Sequence, residues 1–161
     1  MQNKQFFQWT AFSPEFLKSA GFDLDFYPFA REMTFGKVEE TAMYDYLYLG
    51  CSGIKKHKDG KFNLPYSTFL VLRNDGLIAK PYHLPKNQLE PQIPGTILVM
   101  NIHKFHHLIR DQRISNTTNS RVWISLCLEF NLIPTRQKIE DKFRQFLIAK
   151  MKYVQNVAAG R

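Results

Sequence analysis

Residues 64–81 read LPYSTFLVLRNDGLIAKP. From Tyr66 to Leu72 the run is β-branched and apolar, the composition of a strand. It closes on Asn74-Asp75-Gly76, a strong turn signal. Leu77 to Lys80 resume an apolar run, so the two arms read as a hairpin. Pro81 cannot donate to a ladder and confines the end of the second arm to a sheet edge or a bulge.

Working outward, strand signals fill residues 36–131. KVEETAMYDYLYLG (37–50) ends in alternating aromatics. Ile93-Pro94-Gly95 is a turn, and TILVMNIH (96–103) follows as a buried strand. After the polar loop ISNTTNS (114–120) comes RVWISLCLEF (121–130), another strand that reads as buried on both faces. Short strands at regular spacing with turns between them predict a β-sandwich or jelly roll. Residues 1–35 are rich in Phe. There Ser13-Pro14-Glu15 reads as a helix start and Gly21 as its stop. TRQKIEDKFRQFLIAKMKYVQNV (135–157) places Ile139, Phe143, Phe146, Leu147, Met151 and Val154 at helical spacing, with Thr135 as N-cap. This amphipathic helix is expected to cover a sheet. A homodimer contact or a membrane surface is the alternative use of such a helix. The expectation is one domain over 1–161, mainly β with flanking helices: an N-terminal segment (1–35), a β core (36–131) and a C-terminal helix (135–157).

The chain is 44% hydrophobic and 22% charged, a globular balance. No apolar run approaches the ~20 residues that span a bilayer, and MQNKQFFQWTAF lacks the charged-then-apolar layout of a signal peptide. Two cysteines, Cys51 and Cys127, lie in apolar segments and read as buried free thiols in a reducing cytoplasm. The net charge is +8. It is scattered, with clusters at 55–61 (KKHKDGK) and from Arg136 to Lys152, so a solvated basic face is favoured over a nucleic-acid groove. The surplus also suits an anionic small molecule.

Five histidines occur: His57, His83, His103, His106 and His107. His57 and Asp59 form an H-x-D pair. On an extended chain such residues project to the same face. They would aim an imidazole and a carboxylate at one point, and a second imidazole from a neighbouring strand would complete a facial triad of the kind that holds non-haem Fe(II). The segment GTILVMNIHKFHHL offers His103, His106 and His107 for that place. The competing reading of His57-Lys58-Asp59 is a hydrogen-bonded basic turn at Asp59-Gly60. His83, between Pro81 and Pro85, reads as surface.

With these motifs in order, the chain resembles the 2-oxoglutarate/Fe(II)-dependent oxygenases, whose fold is a double-stranded β-helix, a jelly roll. YLGCSGIKKHKDG is similar to the family segment in which a Tyr, here Tyr48, precedes H-x-D by nine residues. GTILVMNIHKFHH is similar to the strand that opens on Gly and closes on the distal His; the family interval from Gly95 falls on His106. Arg121 stands where an Arg usually follows the distal His. The resemblance covers roughly residues 44–131. It implies Fe(II) held by His57, Asp59 and His106, and 2-oxoglutarate as cosubstrate. The far carboxylate of 2-oxoglutarate would be gripped by Arg121, with Tyr48 and Ser125 as further contacts. On the strand 121–130, Arg121, Trp123 and Ser125 share one face. The family's R-x-S is R-x-x-x-S in this chain. The implied reaction is hydroxylation of a substrate C–H bond. A protein side chain or small molecule is favoured over nucleic acid, because Arg136 lies beyond Pro134 and is poorly placed as the second Arg of the nucleobase-demethylating branch. The alternative from another class is a non-catalytic jelly-roll binding or assembly module without iron chemistry.

Overall fold

The computed structural model describes residues 6–20, 33–38, 42–51, 54–57, 64–85, 89–103, 107–111 and 123–160. The strand expected from Tyr66 to Leu72 is β5 (Tyr66–Asn74), with Ser67, Thr68 and Leu70 to Leu72 buried. It is flanked on both sides by strands distant in sequence, β7 (Thr96–Asn101) and β9 (Trp123–Phe130). β1 (Phe6–Thr10) extends the sheet beyond β7. β3 (Ala42–Cys51) and β2 (Met33–Val38) extend it beyond β9. The antiparallel order is β1-β7-β5-β9-β3-β2, and the sheet is open. A second antiparallel sheet holds β4 (Ile54–His57), β8 (His107–Asp111) and β6 (Leu77–Pro81), in the order β4-β8-β6. From β3 to β9 successive strands alternate between the two sheets. The fold is therefore mainly β, and the described residues include two helices, α1 (Pro14–Ser19) and α2 (Arg136–Ala158).

The hairpin expected at Asn74-Asp75-Gly76 does not form. β5 has both edges occupied by β7 and β9, so β6 leaves the sheet and pairs with β8 instead. A turn signal reports where the chain reverses, and not which strand pairs with which. The corner is held by one side chain. Asn74 Oδ1 accepts from the N–H groups of Gly76 (3.0 Å) and Leu77 (2.7 Å). Its Nδ2 donates to the carbonyls of Leu77 and Gln92, both at 2.8 Å. Gly76 takes φ +95°, a left-handed conformation that glycine adopts without steric cost. Pro81 does end an edge strand, as expected. The free side of β6 is met by Gln92, whose amide accepts from Ala79 N–H and donates to Ala79 C=O, both at 2.8 Å.

Gly95 is a second fixed point. At φ +95° its carbonyl accepts from the N–H groups of Ala11 (2.9 Å) and Phe12 (3.2 Å), and its own N–H donates to Val71 (2.8 Å). A Cβ there would sit 1.9 Å from the Phe12 carbonyl oxygen, so no other residue fits this backbone.

Two apolar layers result from strand alternation. On one face of the larger sheet Leu70, Leu72, Ile97, Val99, Leu126 and Leu128 meet Leu17 of α1 and Ile139, Phe143 and Leu147 of α2. On the other face Val71, Leu98, Met100 and Trp123 meet Leu77 and Ala79 of the smaller sheet. Fully burying each such side chain contributes about 1.5–3 kcal/mol. α1 begins at its expected N-cap, where Ser13 Oγ accepts from Phe16 N–H, and its C-cap is Ala20; the expected stop at Gly21 lies outside the described residues. α2 covers the sheet as its spacing predicts, and Thr135 Oγ1 accepts from Lys138 N–H. Part of the basic run has a packing role. Arg136, Lys138 and Arg144 lie over the rings of Trp9, Phe130 and Phe12 at 4.6, 5.9 and 5.5 Å. Cys127 is a buried free thiol, so Cys51 and Cys127 are not disulfide-linked. No described helix is long and apolar enough to cross a membrane.

Candidate metal centre

The H-x-D segment leaves the end of β4, and the FHH run enters the start of β8. These two strands pair, with His57 directly opposite His107 and Ile54 opposite Ile109. β6 adds Pro81 on the other side of His107. A row His57–His107–Pro81 thus crosses the smaller sheet. Directly opposed residues of an antiparallel pair have Cα atoms ~5 Å apart, so His57 and His107 are immediate neighbours across the two strands. Three residues of β4 span two of β8 between these pairings, an irregularity of the kind that re-aims side chains next to active sites. His106 immediately precedes this row in the chain, and Asp59 follows His57 by two. Asp59, His106 and Arg121 lie outside the described residues, as do Lys58 and Lys61. Among the described residues no group of three His, Cys, Asp or Glu side chains is assembled for a metal.

His103 is the distal candidate whose ring is described. β7 ends at Asn101, so His103 sits in the following turn and not on the strand as expected. Its N–H donates to Asn101 Oδ1 (3.1 Å), and its ring Nε2 is buried with no partner among the described residues. His83 is exposed, as expected.

Connectivity fixes which end of the sandwich the row occupies. The chain passes from the larger to the smaller sheet at Cys51–Ile54 and at Asn74–Leu77, and both Cys51 and Asn74 pair with Trp123. β4 and β6 run away from that end, so the row lies toward the end where Tyr66 pairs with Phe130 and Asn101. Along β9 the residues facing the smaller sheet become more polar in that direction. Trp123 is fully buried, and its indole N–H donates to the buried Ser125 Oγ (3.2 Å). The shared face anticipated for Trp123 and Ser125 is therefore present. Next comes Cys127, whose Sγ lies 3.2 Å from Ser67 Oγ, both buried. Last is Glu129, which accepts from Leu64 N–H at 3.3 Å. The period-two pattern that sets Trp123 and Ser125 on one face continues in the sequence through Cys127 and Glu129. The partner Ser67, 60 residues away, left no local signal.

Tyr48 pairs with Leu126 and Leu49 with Ser125. Tyr48 and Ser125 thus hold register positions of opposite parity on neighbouring strands. At the far end of the row, the buried Lys80 caps the turn that leaves β6, donating to the carbonyls of Pro81 (3.3 Å), Tyr82 (3.0 Å) and Leu84 (2.8 Å). A buried ammonium needs such partners. Compared with protein-family models, with curated proteins and with solved structures, the chain matches none.

Proposed function

We propose that this chain is a 2-oxoglutarate- and Fe(II)-dependent oxygenase built on a double-stranded β-helix. The observation that carries the reading is the pairing of His57 with His107, which joins the H-x-D segment to the strand that follows His106. The alternation of strands between two sheets from β3 to β9 supports the jelly roll. The donor set suits the metal: two imidazoles and a carboxylate form the facial triad of non-haem Fe(II). His57, Asp59 and His106, the triad the resemblance implies, would hold the iron, with His107, which the register sets opposite His57, as the alternative distal ligand. The resemblance implies Arg121 for the far carboxylate of 2-oxoglutarate, through two charge-assisted hydrogen bonds, with Ser125 and Tyr48 as further contacts. Against that set, Tyr48 pairs with Leu126 and so stands on the opposite face of the sheet from Ser125, and β9 starts at Trp123, at the other end from the His57–His107 row. With iron and 2-oxoglutarate bound, dioxygen would be the oxidant: one oxygen atom would go to succinate as 2-oxoglutarate loses carbon dioxide, and the other would hydroxylate a substrate C–H bond.

The chain's own contribution is position and dryness. Trp123, Val71, Leu98 and Met100 fill the space between the sheets and exclude water from the Trp123 end. The bond from Trp123 to Ser125 holds the indole in place. The substrate class is a protein side chain or small molecule, and the setting is the cytoplasm, in keeping with the buried free thiol of Cys127.

The test is anaerobic titration of the full chain with Fe(II) and 2-oxoglutarate, following the weak visible charge-transfer band of the chelate. The band is expected with the natural chain and absent in His57→Ala and His106→Ala, at unchanged far-ultraviolet circular dichroism. No band at saturating iron would make the chain a non-catalytic jelly-roll module.

A further inference from the structure

The two edges of the larger sheet are built differently. β2 slips register against β3 between Thr34 and Gly36 and again between Gly36 and Val38, and it carries Lys37. Irregularity and lysine are devices by which edge strands avoid further pairing. β1 has neither. Its residues FFQWT pair with β7 without a break and include no charge and no proline. Ala11 N–H donates to Gly95 C=O, which sets the alternation. Phe7 and Trp9 turn their backbone groups toward β7, while Phe6, Gln8 and Thr10 turn theirs outward. Among the described residues no strand lies beyond β1.

Beside this edge runs a groove of about 340 Å³, lined among others by Phe7, Trp9, Val99, Ile133, Arg136 and Ile139. At its rim Leu132 and Ile133 are 79% and 46% exposed. Trp9 is held rigidly, its indole N–H donating to Glu140 Oε1 at 2.6 Å under the Arg136 guanidinium. The Arg136 side chain is 64% exposed and comes no closer than 4.0 Å to Glu140, so its charge is only loosely matched.

We propose that β1 is a docking strand for an extended, acidic peptide of a partner protein. The peptide pairs with the outward backbone groups of Phe6, Gln8 and Thr10. Alternate apolar side chains enter the groove, and a carboxylate meets Arg136. Charge selects this occupant over a second copy, because each copy carries +8 and would bring its own Arg136 to the seam. This docking mode is strand addition to a free edge, in which main-chain bonds give affinity and side-chain pockets give selectivity. It stands independently of the iron chemistry.

The test uses the full chain and three synthetic heptapeptides: acetyl-DVTVTVD-amide, its lysine counterpart acetyl-KVTVTVK-amide, and the acidic peptide N-methylated at every residue, which leaves neither edge able to donate. Trp123 is fully buried, so a fluorescence change on titration reports Trp9. Saturable binding of the acidic peptide is expected, about fivefold weaker for the lysine peptide, the scale of one exposed ion pair, and none for the methylated one. Amide exchange should slow at Phe6, Gln8 and Thr10 and not in β2. Arg136→Glu should invert the charge preference while far-ultraviolet circular dichroism stays that of the natural chain; losing the contact over Trp9 lowers the thermal midpoint. Absence of saturable binding by either unmethylated peptide overturns the proposal, as does equal binding of the methylated peptide. Slowed exchange in β1 that grows with protein concentration alone also overturns it, in favour of a second copy.

Discussion

Asn74 and Gln92 hold backbone where no described strand pairs with it. Asn74 makes four hydrogen bonds at the corner between the sheets, two as acceptor and two as donor. Gln92 pairs both backbone groups of Ala79 and reaches Gln8 of β1 at 3.2 Å. Leaving such groups unpaired costs more than the bonds themselves contribute. Asn74→Ala should therefore lower stability by about 2–3 kcal/mol, read as a fall in the urea midpoint at constant slope. Asn74→Asp keeps the two acceptor bonds and should lose less; equal losses would show that the donor bonds to Leu77 and Gln92 carry the corner. The sequence marks Asn74 as a turn residue. It does not reveal that the amide also grips Gln92, 18 residues on, because that contact exists only once β6 has left the sheet.

α2 is the element most fully legible before folding. Its start at Thr135 and its buried stripe Ile139, Phe143 and Leu147 follow from period and capping alone. The stripe is used within the chain's own core, so any contact α2 makes with another molecule falls to its outward face. Phe143→Ala should cost about 3–5 kcal/mol as a cavity in a fully buried site. Thr135→Ala should cost about 1 kcal/mol as a lost cap. Denaturant melts of the two variants separate these values; near-equal costs would mean that α2 docks loosely. The strands were less legible. β5 and β6 were each recognisable by composition, but their pairing was not, since β5 finds its neighbours in β7 and β9, more than 20 residues away.

For the molecule as a whole, folding brings together segments that are remote in the chain. His57 and His107 become neighbours only after β5, β6 and β7 have been laid down between them. A metal bound at such a place stabilises the fold by mass action. Fe(II) under anaerobic conditions at a hundred times its dissociation constant should add about 2.7 kcal/mol. For a domain of this size that is a rise in thermal midpoint of roughly 5–10 °C, and His57→Ala should abolish it. An equal rise in the variant would place the ion elsewhere.

By itself, the sequence determined the elements. Strand composition, the helix caps and the turns at Asn74-Asp75-Gly76 and Ile93-Pro94-Gly95 are local properties, set by backbone sterics and side-chain period within a few residues. It also supplied the residue types of the candidate centre, His57, Asp59 and the cluster at 103–107. Tertiary structure alone decided the partners: that β5 and β6 belong to different sheets, that His57 stands opposite His107, that Ser67 meets Cys127, and that β1 ends the sheet among the described residues. Pairing is decided by which apolar faces can be buried together, and that is a property of the whole chain.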